Sequence, residues 1–168
     1  MRAWLSCALL MILWNSAVLA SGHYPVSRGL IEEWKGSVKE GNRLLKDVSW
    51  AVNSSREKGQ MNRVVELVFA AEELSKTADI VGLSFDLIKI EEAHGFYEDE
   101  SVKPLALMRV HLGNHLGTIN QKIVMLEGVL ARMRDAVSIR YLEKTRDYLK
   151  KVQGLLASSL EQSQAFKK

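Results

Sequence analysis

Residues Ile80–Ile90 read IVGLSFDLIKI, and the local structure of this stretch decides the fold. Apolar and polar residues alternate through LSFDLIKI, as in a half-buried strand. The same residues also form two helical rows. One is Ile80, Leu83, Leu87 and Ile90; the other is Val81, Phe85 and Ile88. A single strand has nothing to pair with, and the chain on both sides is patterned for helix. The stretch therefore reads as helix. A helix apolar on two sides is expected to be buried on two sides. Any part of it left exposed is a partner site.

Upstream, Val64, Leu67, Val68, Ala71, Leu74 and Ala78 form one stripe, so this helix runs from about Gln60 to His94, with Gly95 as a natural stop. Before it, Ile31, Trp34, Val38, Gly41, Leu45, Val48 and Val52 alternate spacings of three and four. They predict a helix from about Ser27 to Asn53, closed by the polar turn NSSREKG, residues 53–59. Downstream, FYEDES is a loop, with Asp99 or Ser101 as the next cap and Pro104 in the first turn. Leu105, Leu112, Ile119, Leu126 and Met133 then recur every seven residues. That helix is expected to end near Asp135. No glycine or proline marks the boundary, and one continuous helix through Ser138 is the alternative. Leu142, Thr145, Leu149, Val152, Leu156 and Leu160 carry the last stripe.

Four long amphipathic helices joined by short turns predict an all-α fold, an antiparallel up-down-up-down four-helix bundle over residues 27–168. At 1.5 Å per residue the helices are roughly 40–50 Å long.

Residues 1–20 read as a secretory signal peptide. Met1-Arg2 gives a positive start, Ala3 to Trp14 is almost continuously apolar, and Val18-Leu19-Ala20 places small residues where a signal peptidase cuts. The apolar run is too short to span a bilayer comfortably. Cys7 invites a lipoprotein reading, but Trp4-Leu5-Ser6 is a poor lipobox. Cleavage after Ala20 would leave about 148 residues, and residues 21–26 would form an extended arm. The expected location is the periplasm or the extracellular space. Cys7 is the one cysteine in the chain and would leave with the signal. The core must then hold the fold without disulfides, and thiol catalysis, thiolate metal sites and covalent haem are excluded. A net charge of +3 is too small to argue for nucleic acid as partner.

Candidate chemistry is sparse. His111 and His115 stand four apart and share a helix face. They fall about 90° and about 50° from the stripe centre, on the flank. Antiparallel pairing brings His115 level with Val81 and His111 level with Phe85, and Asp86 is the acid expected to lean inward. The two imidazoles read as partly exposed boundary residues, with a weak surface clamp for Zn(II) or Cu(II) as the alternative. Glu91 and His94 supply one Glu-x-x-His, where a di-iron bundle needs two. Haem would need His115 with Met108 or Met125. Met108 shares its helix and cannot reach the other haem face, and Met125 points away from the stripe. Cleavage after Ala20 would free Ser21-Gly22-His23, whose amine, amides and imidazole form a square-planar nitrogen set suited to Cu(II) or Ni(II). Asn53-Ser54-Ser55 is a glycosylation sequon in a eukaryotic host. Enzyme signatures are missing: GLSFD lacks the second glycine of a nucleophile elbow, and there is no phosphate-cradling loop or His-Glu-x-x-His.

Charge is polarised. Glu91, Glu92, Glu98, Asp99 and Glu100 crowd one end; Arg56, Lys58, Arg63, Arg132, Arg134, Arg140 and Lys144 gather at the other. Glu57, Asp135 and Glu143 partly offset the second group, and both clusters read as solvated helix ends; the alternative is a basic tip for an anionic surface or partner, or for head-to-tail stacking. The expected function is that of an exported, non-enzymatic bundle acting as a protein-interaction or structural module, with a protein partner or a second copy. A periplasmic or secreted Cu, Ni or haem binding protein is the alternative. At the level of fold alone, the architecture is similar to helical subunits of bacterial secretion or conjugation apparatus.

Overall fold

A computed structural model describes residues 26–94 and 102–165, with side chains over 26–90 and 105–165. The proposed signal peptide and most of the arm, including Ser21, Gly22 and His23, lie outside the described residues. Four helices follow in order: α1 Arg28–Glu57, α2 Met61–His94, α3 Val102–Leu130 and α4 Ala136–Ala165. There is no strand among the described residues, and IVGLSFDLIKI lies inside α2.

The helix ends follow from local chemistry. Ser27 is extended, and its hydroxyl accepts from the Leu30 amide at 3.4 Å, capping α1. At the other end Gly59 takes φ 69, the left-handed conformation that a bare Cα tolerates. Gly59 N donates to Arg56 O, and Gln60 N to Ser55 O, both at 3.0 Å, which closes a Schellman motif. This corrects the expected stop at Asn53. Ser55 is buried, so the helix continues through SSRE until glycine permits the reversal. Asn53 is an exposed residue of α1 and is not part of a turn.

The boundary between α3 and α4 is also corrected. The helix stops at Leu130, five residues before Asp135, and does not continue through Ser138. Asp135 instead starts α4. Its carboxylate accepts from the Ser138 amide at 2.8 Å, and its carbonyl accepts from Ile139 N at 2.9 Å.

Neighbouring helices pack as α1–α2, α2–α3, α3–α4 and α4–α1, the up-down-up-down arrangement. Across the bundle α2 and α4 also touch, whereas α1 and α3 do not, so the cross-section is flattened along the α2–α4 diagonal. The core contains Trp34, Leu74, Leu112, Ile119, Leu149 and Leu156, each almost wholly buried. Small residues allow the close approach. Ser138, Thr145, Val152 and Ser159 recur every seven residues on α4, and all are buried. Across from them the Trp34 indole donates to Ser159 Oγ at 2.9 Å. Among the described residues no helix is long and apolar enough to cross a membrane.

Candidate functional site

The seam between α2 and α3 carries the polar contacts closest to chemistry. Glu73 is 3% exposed on α2 and is gripped by Lys122 of α3. Lys76 adds a second cation at 3.3 Å. A carboxylate removed from water in this way is tolerable only when paired and hydrogen-bonded. Glu73 was not singled out from sequence. The signal was available, because Glu73 falls on the inward side of α2 between Ala70 and Thr77.

Further along the seam, Ser84 of α2 and His115 of α3 are hydrogen-bonded, Oγ to Nδ1, at 2.9 Å. Burial pushes the His115 pKa below its usual value, and the neighbouring His111 adds to the effect. The two rings stand 6.2 Å apart between centroids and are tilted at 54°. Both histidines are half-buried on the flank of α3, as their helical phase predicts. Asp86, expected to lean inward, is exposed. Among the described residues no three His, Cys, Asp or Glu side chains assemble as a metal-binding group. The side chains of Glu91 and His94 lie outside that description. Met108 is buried in the core and Met125 is 44% exposed.

Outside this seam the surface turns apolar. Nine large apolar side chains stand exposed among the described residues. Eight of them are on α2 or α3: Met61, Val65, Leu83 and Ile90, then Leu107, Val110, Val124 and Met125. Trp50 on α1 is the ninth. The two rows of IVGLSFDLIKI are therefore not both buried, which corrects that expectation. Val81 and Ile88 are 1% exposed, and Phe85 packs against the core. In the second row Ile80 and Leu87 are half-buried at the groove, while Leu83 is 58% and Ile90 49% exposed. The neighbours α1, α3 and α4 cover the inner sides of α2, and no fifth helix is available for its outer side among the described residues.

The basic end is only partly free. Arg56, Lys58, Arg132, Arg134, Arg140 and Lys144 are exposed there. Arg63 is engaged: its guanidinium donates twice to Asp135, at 3.0 and 2.6 Å. That pairing and the Ser138 amide hold the Asp135 carboxyl at about 2, below its usual 3.8. The side chains of the acidic cluster at the opposite end lie outside the described residues. Two surface grooves, of about 420 and 590 Å³, open beside Arg63 and beside Tyr148. Charged side chains line both, and neither sets a nucleophile against a base.

Comparison with known proteins yields no relative: no family model, no curated protein and no solved structure matches this chain.

Proposed function

We propose that this chain is an exported, non-enzymatic helical bundle whose α2–α3 face binds protein. One observation carries the reading: eight of the nine exposed large apolar side chains lie on these two helices, and α4 contributes none. Scattered apolar residues on a surface are ordinary, but a concentration on one side of a monomer marks an interaction site. Support for export comes from the positive, apolar and small-residue order of residues 1–20. The corresponding location is the periplasm or the extracellular space.

The test is site-specific photocrosslinking in the producing cell. A photoreactive residue at Leu83 should give protein adducts, and one at Ala157, exposed on α4, should give none. Absence of adducts at Leu83, Ile90 and Val110 alike overturns the reading. Edman sequencing that begins at Ser21 would support export.

The histidine pair favours a second reading, a carrier of Cu(II) or Zn(II), with imidazoles four residues apart on α3. The Ser21-Gly22-His23 arm would add a Cu(II) or Ni(II) set if cleavage frees it. Metal content of the protein purified from its producing cell decides between the two: a stoichiometric metal supports the carrier.

A further inference from the structure

We propose that the partner on this face is a second copy of the chain, with its α2 laid antiparallel on α2 about a two-fold axis level with Thr77 and Ala78. The proposal rests on the interaction-face reading and names the occupant.

The pattern on the outer side of α2 is its own complement. At 100° per residue Val65, Leu83 and Ile90 lie within about 20° of one another, and Phe69 and Leu87 lie about 40° toward α3. Between the two apolar ends of this stripe stand Glu72, Lys76 and Asp79, all exposed. Residue numbers run in opposite directions along antiparallel helices. A pairing that seats Val65 on Ile90 of the second copy therefore seats Lys76 on Asp79 and brings Phe69 within one residue of the level of Leu87. Each of these contacts occurs twice by symmetry. Phe69 and Leu87 are already half-buried against the groove, so they present edges instead of whole side chains.

The charges select the direction. Lys76 lies 3.8 and 3.3 Å from Glu72 and Glu73 of its own helix, and Asp79 has no ion-pair partner among the described residues. Antiparallel pairing gives Asp79 a cation. Parallel pairing would stack Lys76 on Lys76, Asp79 on Asp79 and Glu72 on Glu72, which repels. In this register Glu72 is the one charge of the stripe that meets an apolar side chain, and sliding would also press Lys76 or Asp79 against apolar side chains. Glu72 faces Leu83 of the second copy and stays bridged to Lys76. Leu107 and Met125, exposed on α3, extend the apolar rim.

Cysteine crosslinking of the full chain in a Cys7→Ser background tests this directly. Val65→Cys with Ile90→Cys should give a covalent dimer on mild oxidation. Within one chain these positions are about 38 Å apart along α2, so only a bridge between copies is open to them. Either cysteine alone should stay monomeric under the same treatment. Sedimentation supplies the second arm. Asp79→Lys should weaken self-association by about tenfold or more, and adding Lys76→Glu should restore most of it. Circular dichroism of each variant separates misfolding from lost association. A strict monomer at every concentration overturns the proposal, as does crosslinking by the single-cysteine variants. Photoadducts at Leu83 with another protein, and none between copies, also overturn it while leaving the interaction-face reading standing.

Discussion

The Tyr148 hydroxyl of α4 donates to the Ser37 carbonyl of α1 at 3.1 Å, across the bare Cα of Gly41. A Cβ at position 41 would fall on that hydroxyl and lie 2.7 Å from the ring carbon that carries it. Mid-helix glycine costs about 1 kcal/mol relative to alanine, so its presence here is explained by the ring. Gly41→Ala should therefore destabilise by about 1–3 kcal/mol, because overpacking and the lost hydrogen bond exceed the gain in helix propensity. In a Tyr148→Leu background the same substitution should be neutral or stabilising. Urea unfolding of the four proteins checks this, and a Gly41→Ala variant more stable than the parent refutes it.

Asp135 performs two tasks that substitution can separate. Asparagine keeps the cap on the Ser138 amide but loses the charge that holds Arg63. Asp135→Asn should cost about 1 kcal/mol and Asp135→Ala about 2, since capping is worth about 1. The carboxyl pKa is depressed in the fold, to about 2 from 3.8. Its stabilisation is therefore fully present above the unfolded value and is lost as pH falls toward 2. The advantage of the parent over Asp135→Asn should stay constant near neutrality, fall as pH drops through the folded value of about 2, and vanish by about pH 1. An advantage that persists undiminished in acid would show that the ion pair is not its source.

The buried Glu73 makes the α2–α3 seam sensitive to half-measures. Lys122→Met strips away its closest cation and leaves Lys76, itself 58% exposed, as the remaining one. A loss of about 2–4 kcal/mol is expected, most of it the cost of a carboxylate left short of partners. Glu73→Leu with Lys122→Met should recover most of this, because apolar side chains can fill the same space. Thermal unfolding of the single and double variants checks the order. If the double variant were the less stable, the pair itself would be a net source of stability.

How much of this was legible in the sequence depends on the kind of signal. The inward stripes on α1 and α4, such as Trp34, Val48, Leu142 and Leu149, follow from spacing alone, because burial of one helical face is periodic. Helix ends were less legible. Asp135 is an ordinary capping residue, but nothing nearby interrupts the apolar rows, and its decisive partner Arg63 is 72 residues away. Gly59 was in plain view, yet the polar residues before it masked a helix whose inward side includes Ser55. On α2 the two apolar rows were visible. Which one faces water was not, because that depends on how many neighbours the helix has. Nothing in the local pattern shows that Ser84, in the middle of that stretch, meets His115, 31 residues on.

That last contact gives the fold a pH dependence. His115 is half-buried, its Nδ1 is bonded to Ser84, and His111 stands beside it on the same face of α3. Burial favours the neutral ring, and a charged His111 would repel a charged His115, so the pKa lies below 6.5 in the folded chain. The unfolded chain regains the ordinary value and takes up its proton first as pH falls. Stability from His115 is thus present above about 6.5 and drains away below it, down to the lowered folded value. Unfolding free energy should decline between neutral and mildly acidic pH. His115→Gln, which keeps a group able to bond Ser84, should flatten the decline, and His111→Gln should reduce it in part. The Asp135 effect sits well below this window and will not obscure it. Metal ions supply an independent reading of the same pair. Under the metal-carrier reading, Zn(II) or Cu(II) held between the rings needs both neutral imidazoles, so on that reading it should raise the melting temperature at neutral pH and lose that effect in acid. His115→Gln should abolish this rise. If the parent and His115→Gln show the same pH profile, the ring is not the titrating group, and the decline belongs elsewhere in the chain.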